Sequence, residues 1–131
     1  MATDPNRVAS DLKRLTAVFS GLSRQKDAIL TYLEEVYRTA ASWRSLNRKM
    51  VLQHVSEIIG RKLDRRVTRT ANRLLVELTC KSDIKLKSRY ANALEFARMK
   101  ECDASQVMRF IREREGIEKC SRAYVNRKRR K

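Results

Sequence analysis

The apolar residues of the first third keep a strict rhythm. Val8, Leu12, Leu15, Phe19, Leu22, Ile29, Leu33, Val36, Ala40 and Trp43 follow in alternating steps of four and three, and Lys26 fills the one position out of pattern. That spacing is the seam of a heptad-patterned helix. Asp4 suits its cap and Pro5 its first turn. The interruption is "FSGLSRQ", Phe19 to Gln25, where Gly21 stands with serines close on both sides. Read locally, Gly21 takes a left-handed conformation, Ser23 caps a second helix, and the region is a helical hairpin. Read in register, the glycine and serines cost a continuous helix only about 1–2 kcal/mol, which a few buried side chains at roughly 1.5–3 kcal/mol each offset. The phase survives across Gly21. It therefore favours one long helix from Pro5 to about Ser42 with a soft spot at Gly21. Such a helix suits pairing, giving a candidate homodimer through Val8, Leu12, Leu15, Phe19, Leu22, Ile29, Leu33 and Val36. The same stripe is equally the inner face of ordinary amphipathic helices packing on their own domain.

Beyond Trp43 the pattern breaks into shorter helices. Asn47 caps one over Arg48–Ile59, with Val51, Leu52, Val55, Ile58 and Ile59 as its apolar face and Gly60 at its end. Asp64 caps the next, from Arg65 to about Thr79, on a stripe of Val67, Ala71, Leu74 and Leu78. Ser82 or Asp83 starts a helix carrying Leu86, Tyr90, Leu94 and Ala97. Asp103-Ala-Ser-Gln106 has capping-box character, before a helix that buries Val107, Phe110 and Ile111 and stops before Gly116. A last short helix carries Ile117, Cys120 and Tyr124. Three glycines and one proline in 131 residues leave too few turn residues for a sheet protein. The expected fold is all-α: a heptad region over 1–44, a small basic bundle of four to five helices over 45–126, and a basic tail over 127–131, disordered when free.

Charge changes this picture most. Lys and Arg number 31 against 15 acids, a net of +16, of which residues 1–44 contribute +2 and residues 45–131 contribute +14. An excess of that size favours a polyanionic partner, since each Lys or Arg that meets a phosphate releases a condensed counterion. The densest stretch is "GRKLDRRVTRTANR", with Arg61, Lys62, Arg65, Arg66, Arg69 and Arg73 against a lone Asp64. On one helix, Arg65, Arg69 and Arg73 form a ridge four residues apart, and Thr68, Thr70 and Asn72 lie among them. Arg66, Arg69, Asn72 and Arg73 are the candidates for base contact. The stretch from Val51 to Leu75 resembles a helix-turn-helix in outline, an apolar helix, a turn glycine, then a basic helix, loosely placed around residues 48–79. It departs from that motif where Arg66 and Arg69 occupy positions that are usually apolar. Lys81, Lys85, Lys87 and Arg89 form a second basic group at a helix start, where free N–H groups also attract anions. Arg127, Lys128, Arg129, Arg130 and Lys131 can track a phosphate backbone without reading sequence.

Catalysis has few parts to work with. His54 is the one histidine, and no phosphate loop, HExxH or metal-spaced Cys/His cluster occurs. The adjacent pair Glu34–Glu35 diverges around a helix and reads as solvated surface. Cys80, Cys102 and Cys120 are odd in number, without CxxC spacing, and read as reduced thiols of a cytoplasmic protein. No apolar run nears the ~20 residues of a membrane span, the N-terminus lacks a signal-peptide core, and no metal or cofactor is expected. The aromatic residues do not interleave with the basic clusters, which favours duplex DNA over RNA or single strands. The expectation is a non-enzymatic nucleic-acid-binding protein, a transcription regulator or architectural factor. It would be cytoplasmic, on the nucleoid in a bacterium or nuclear in a eukaryote. The alternatives are a helical adaptor or inhibitor of an acidic protein or nucleoprotein machine, and an RNA-binding factor.

Overall fold

A computed structural model of the chain describes residues 5–22 and 28–129, and all regular structure among them is helical. The elements are α1 (Pro5–Ser20), α2 (Ala28–Trp43), α3 (Arg48–Ile59), α4 (Arg65–Thr68), α5 (Ala71–Thr79), α6 (Ile84–Met99), a 3-10 turn (Ala104–Gln106), α7 (Val107–Glu113) and α8 (Ile117–Arg129).

The N-terminal third folds back on itself, which corrects the single long helix that its register favours. Arg14 reaches from α1 to Glu35 Oε2 (2.7 Å) and Thr39 Oγ1 (2.7 Å) on α2. Trp43 Nε1 donates to Asp11 Oδ2 (2.8 Å), and Arg7 bonds Ser42. In one continuous helix Asp11 and Trp43 would stand about 48 Å apart, at 1.5 Å per residue. The pattern is an antiparallel hairpin. Its two helices each need 4-3 spacing to face a shared core, so agreement of phase across Gly21 does not report continuity. Gly21 is not the left-handed terminator of the hairpin reading either. Its N–H bonds Ala17 C=O (2.9 Å), as in a helix running on, and only Gly60 and Gly116 take positive φ among the described glycines. The caps expected of Asp4 and Ser23, and the misfit Lys26, lie outside the described residues.

The seam residues are core residues of this chain. Val8, Leu15, Leu33 and Val36 are fully buried and Leu12 nearly so, while Phe19, Leu22 and Ile29 pack against them. A homodimer through that stripe is therefore corrected, because the core of the monomer already occupies it. The α2 helix is buried on more than one side. Leu30, Tyr32 and Tyr37 join Leu33, Val36 and Trp43 in the core, as befits a central helix. Two tyrosines tether it: Tyr32 Oη lies 2.6 Å from Thr79 Oγ1 on α5, and Tyr37 Oη donates to Cys102 C=O at 2.6 Å. Burial pushes the Tyr37 hydroxyl up to about 12, so it donates at any physiological pH. One hydrophobic core runs from Val8 to Cys120, and the boundary drawn at 44/45 passes through it.

The local stop and start signals act as expected. Asn47 accepts Met50 N–H (3.1 Å), Asp64 accepts Arg66 N–H (2.8 Å) and Asp83 accepts Leu86 N–H (2.8 Å). Gly60 ends α3 at φ +72° with its N–H on Ser56 C=O. The glycines make a paired test. Gly60→Ala is expected to cost about 1–2 kcal/mol because of its left-handed backbone. Gly21→Ala, outside that conformation, should shift stability by less than about 1 kcal/mol in either direction. Urea unfolding measures both, and equal costs would contradict the assignment.

Two expected elements differ. The helix from Arg65 to Thr79 is broken in two, and the last helix is longer than foreseen, so Arg127 is helical and the basic run begins inside α8 instead of in a disordered tail. No helix among the described residues is long and apolar enough to cross a membrane.

Candidate nucleic-acid interface

The break at Thr70 shapes the basic surface. Thr70 is extended (φ −134°, ψ 157°) and its Oγ1 accepts Arg73 N–H (3.2 Å), a local bond that competes with helix continuation. The carbonyls freed at the break are taken by Arg48, whose Nη2 donates to Thr68 C=O and Nη1 to Arg69 C=O (3.3 Å). Arg48 opens α3, held there by the Asn47 cap. One guanidinium thus staples α3 to the α4–α5 corner.

Around that staple Arg48, Arg65, Arg66, Thr68 and Arg69 line one shallow depression. An adjoining cleft shares Arg48, Thr68 and Arg69 and adds Arg44 and Arg98. Among the described residues Arg44, Arg48, Arg65, Arg66 and Arg69 make no salt bridge, whereas Arg98 lies 3.9 Å from Glu95. Elsewhere some cations are paired along their own helices, as in Arg109–Glu113 and Arg122–Glu118. Uncompensated arginines gathered on one surface repel one another and raise the local potential, the condition under which an anion binds well.

The expected ridge of Arg65, Arg69 and Arg73 does not exist, since Arg73 lies past the break and turns inward to Asn92 Oδ1 (2.8 Å). Asn72 is fully buried, with Nδ2 on Glu95 Oε1 (3.3 Å), and is corrected as a base-contacting residue. Asn92 Nδ2 continues to Ser121 Oγ (3.3 Å). These side chains form a buried polar network that joins α5 to α6 and α8. Asn72→Ala is therefore expected to lower unfolding free energy by about 1–3 kcal/mol, by leaving Glu95 with one fewer partner. Nucleic-acid affinity of the folded protein should hold, and a selective loss of affinity at unchanged stability would contradict this placement.

Arg61 and Lys62 are exposed in the link before α4. Lys81, Lys85 and Arg89 are exposed at the start of α6, but Lys87 is half-buried 3.6 Å from Glu77. Arg127 is exposed near the end of α8. The side chains of Lys128 and Arg129, and all of Arg130 and Lys131, lie outside the described residues.

No protein-family model, curated protein or solved structure matches this chain.

Arg44, Arg48 and Arg98 are the members of the surface that reading along the helices misses. They reach it from the end of α2, the start of α3 and the end of α6. The usable signal was the position of Arg48, next to a cap and far from any acid in sequence. Burial raises the thiols of Cys80, Cys102 and Cys120 above the ordinary cysteine value, which keeps them protonated and weakly nucleophilic.

Proposed function

We propose that the chain is a non-enzymatic nucleic-acid-binding protein that takes duplex DNA on the face of Arg48, Arg65, Arg66 and Arg69. The observation that carries this is the convergence of arginines without acid partners, four of them in one depression. Arg61, Lys62, Lys81, Lys85, Arg89 and the basic end from Arg127 extend the positive field and add phosphate contacts. An α4 of four residues is too short to lie along a groove and read several bases, and the Asn72 amide is buried. Phosphate contact therefore dominates, which suits an architectural factor or a regulator of low intrinsic sequence preference. The exposed large hydrophobic residues among those described, Ile58, Ile84 and Met99, are all non-aromatic, which favours a duplex over stacked single strands.

A gel shift with duplex DNA, single-stranded DNA and RNA of equal length over a salt series tests the reading. The duplex should bind most tightly, with affinity falling steeply as salt rises. Absence of duplex binding at low salt would end the proposal, and preference for RNA would move it to the RNA-binding alternative.

A further inference from the structure

The cleft beside the arginine face has a volume of about 300 Å³. Its floor is apolar: Trp43, Val51 and Leu74 are core residues and Leu52 is half-buried. Its rim is formed by the exposed Arg44, Arg48, Arg69 and Arg98, with Thr68 and Thr70 beside them. Against these four cations stand two neighbouring carboxylates, Glu95, which is nearly buried and shared between Arg98 and Asn72, and Asp11, which holds the Trp43 indole N–H. Burial first, then the nearby Arg98, lowers the Arg44 guanidinium below the usual arginine value, a mark of cations crowded together.

A bare inorganic anion would satisfy the rim and leave the floor wet. An organic anion with a flat apolar body uses both, as ligand clefts do when a mostly apolar lining carries a few placed polar groups. A nucleobase is flat, stacks on aromatic and guanidinium planes, and comes with a phosphate that arginine forks match. We propose that this cleft binds one nucleoside monophosphate unit, its base over the apolar floor beside Leu52 and its phosphate on Arg44 and Arg98. The choice of ligand rests on the nucleic-acid reading above. The unit has two sources, a free nucleotide or an unpaired nucleotide at the end of a strand held on the arginine face. The shared residues Arg48, Thr68 and Arg69 make the second path continuous.

Trp43 is the chain's one tryptophan, so its fluorescence reports on the floor. The full chain is titrated with adenosine monophosphate, with inorganic phosphate, and with a duplex carrying one unpaired 5′-phosphorylated nucleotide beside its blunt counterpart; calorimetry runs in parallel. Adenosine monophosphate should bind saturably and at least about 10-fold more tightly than phosphate, with Arg44→Gln and Arg98→Gln each weakening it by about 10-fold, the loss of one charge-assisted hydrogen bond. Arg44 makes no salt bridge, so Arg44→Gln keeps the test valid if Arg98→Gln disturbs Glu95. Tighter binding of the overhang than of both free nucleotide and blunt duplex assigns the strand-end source, and the reverse assigns the free nucleotide. The proposal is overturned if neither nucleotide form binds, if phosphate matches adenosine monophosphate, or if folded Arg44→Gln binds as the wild type does. Salt-dependent binding of the blunt duplex with no nucleotide effect sinks the cleft alone. Nucleotide binding without duplex binding sinks the proposed function alone.

Discussion

Replacing Arg65, Arg66 and Arg69 together by glutamine is expected to lower duplex affinity by on the order of 100-fold at low salt, taking about 1 kcal/mol for each lost phosphate contact. Glutamine keeps much of the side-chain length and removes only charge. The three residues are exposed and make no salt bridge among the described residues, so folding stability should stay within about 0.5 kcal/mol for each. The diagnostic quantity is the salt dependence. Three lost phosphate contacts should flatten the slope of log affinity against log salt by about 2–3. A variant that binds within two-fold of the wild type at every salt concentration would remove this face from the proposed function. A loss of affinity with an unchanged slope would mean that these arginines act through shape and not through phosphate.

Leu33→Ala is expected to destabilise the chain by about 2–5 kcal/mol, the range for emptying a fully buried leucine site. At roughly 3–5 °C per kcal/mol for a domain of this size, the melting temperature should fall by about 6–25 °C. Leu33 lies within the central helix, without exposure, in a core that also holds Val8, Leu75 and Leu94. The stripe was also legible as a pairing seam, and there the same substitution would separate two chains while each stayed folded. Denaturant unfolding with light scattering distinguishes the two. Unchanged unfolding free energy together with a halved molecular mass would overturn the assignment of Leu33 to an intramolecular core.

What could be read in the sequence follows from the range of each interaction. Caps were legible because they are closed within two or three residues, as Asn47, Asp64 and Asp83 show. The hairpin was not, since the contacts that decide it join residues 21 to 35 apart, Arg14 to Glu35 and Arg7 to Ser42. The break in the basic helix had a local sign in Thr68 and Thr70, yet its outer support comes from Arg48, about twenty residues upstream. Asn72 was open to a better reading. It lies three and four residues before Leu75 and Val76 and so shares their buried face. Residue type suggested a base contact, and helical geometry already placed it inside. The candidate surface was half legible. Arg65, Arg66 and Arg69 were found by local density, but Arg44, Arg48 and Arg98 become neighbours only through the fold.

Arg48 differs from its neighbours in freedom. Arg65, Arg66 and Arg69 are long exposed side chains that must surrender rotamers to grip a phosphate. Arg48 has already surrendered them, because the carbonyls of Thr68 and Arg69 hold its guanidinium. Two of its N–H groups are engaged there and the others remain to donate outward. It is a preorganised donor set among mobile ones, so the entropy lost on meeting an anion is smallest at this point of the surface. A polyanion arriving at this face would therefore find its first fixed point at Arg48, and the flexible arginines would close around it afterwards.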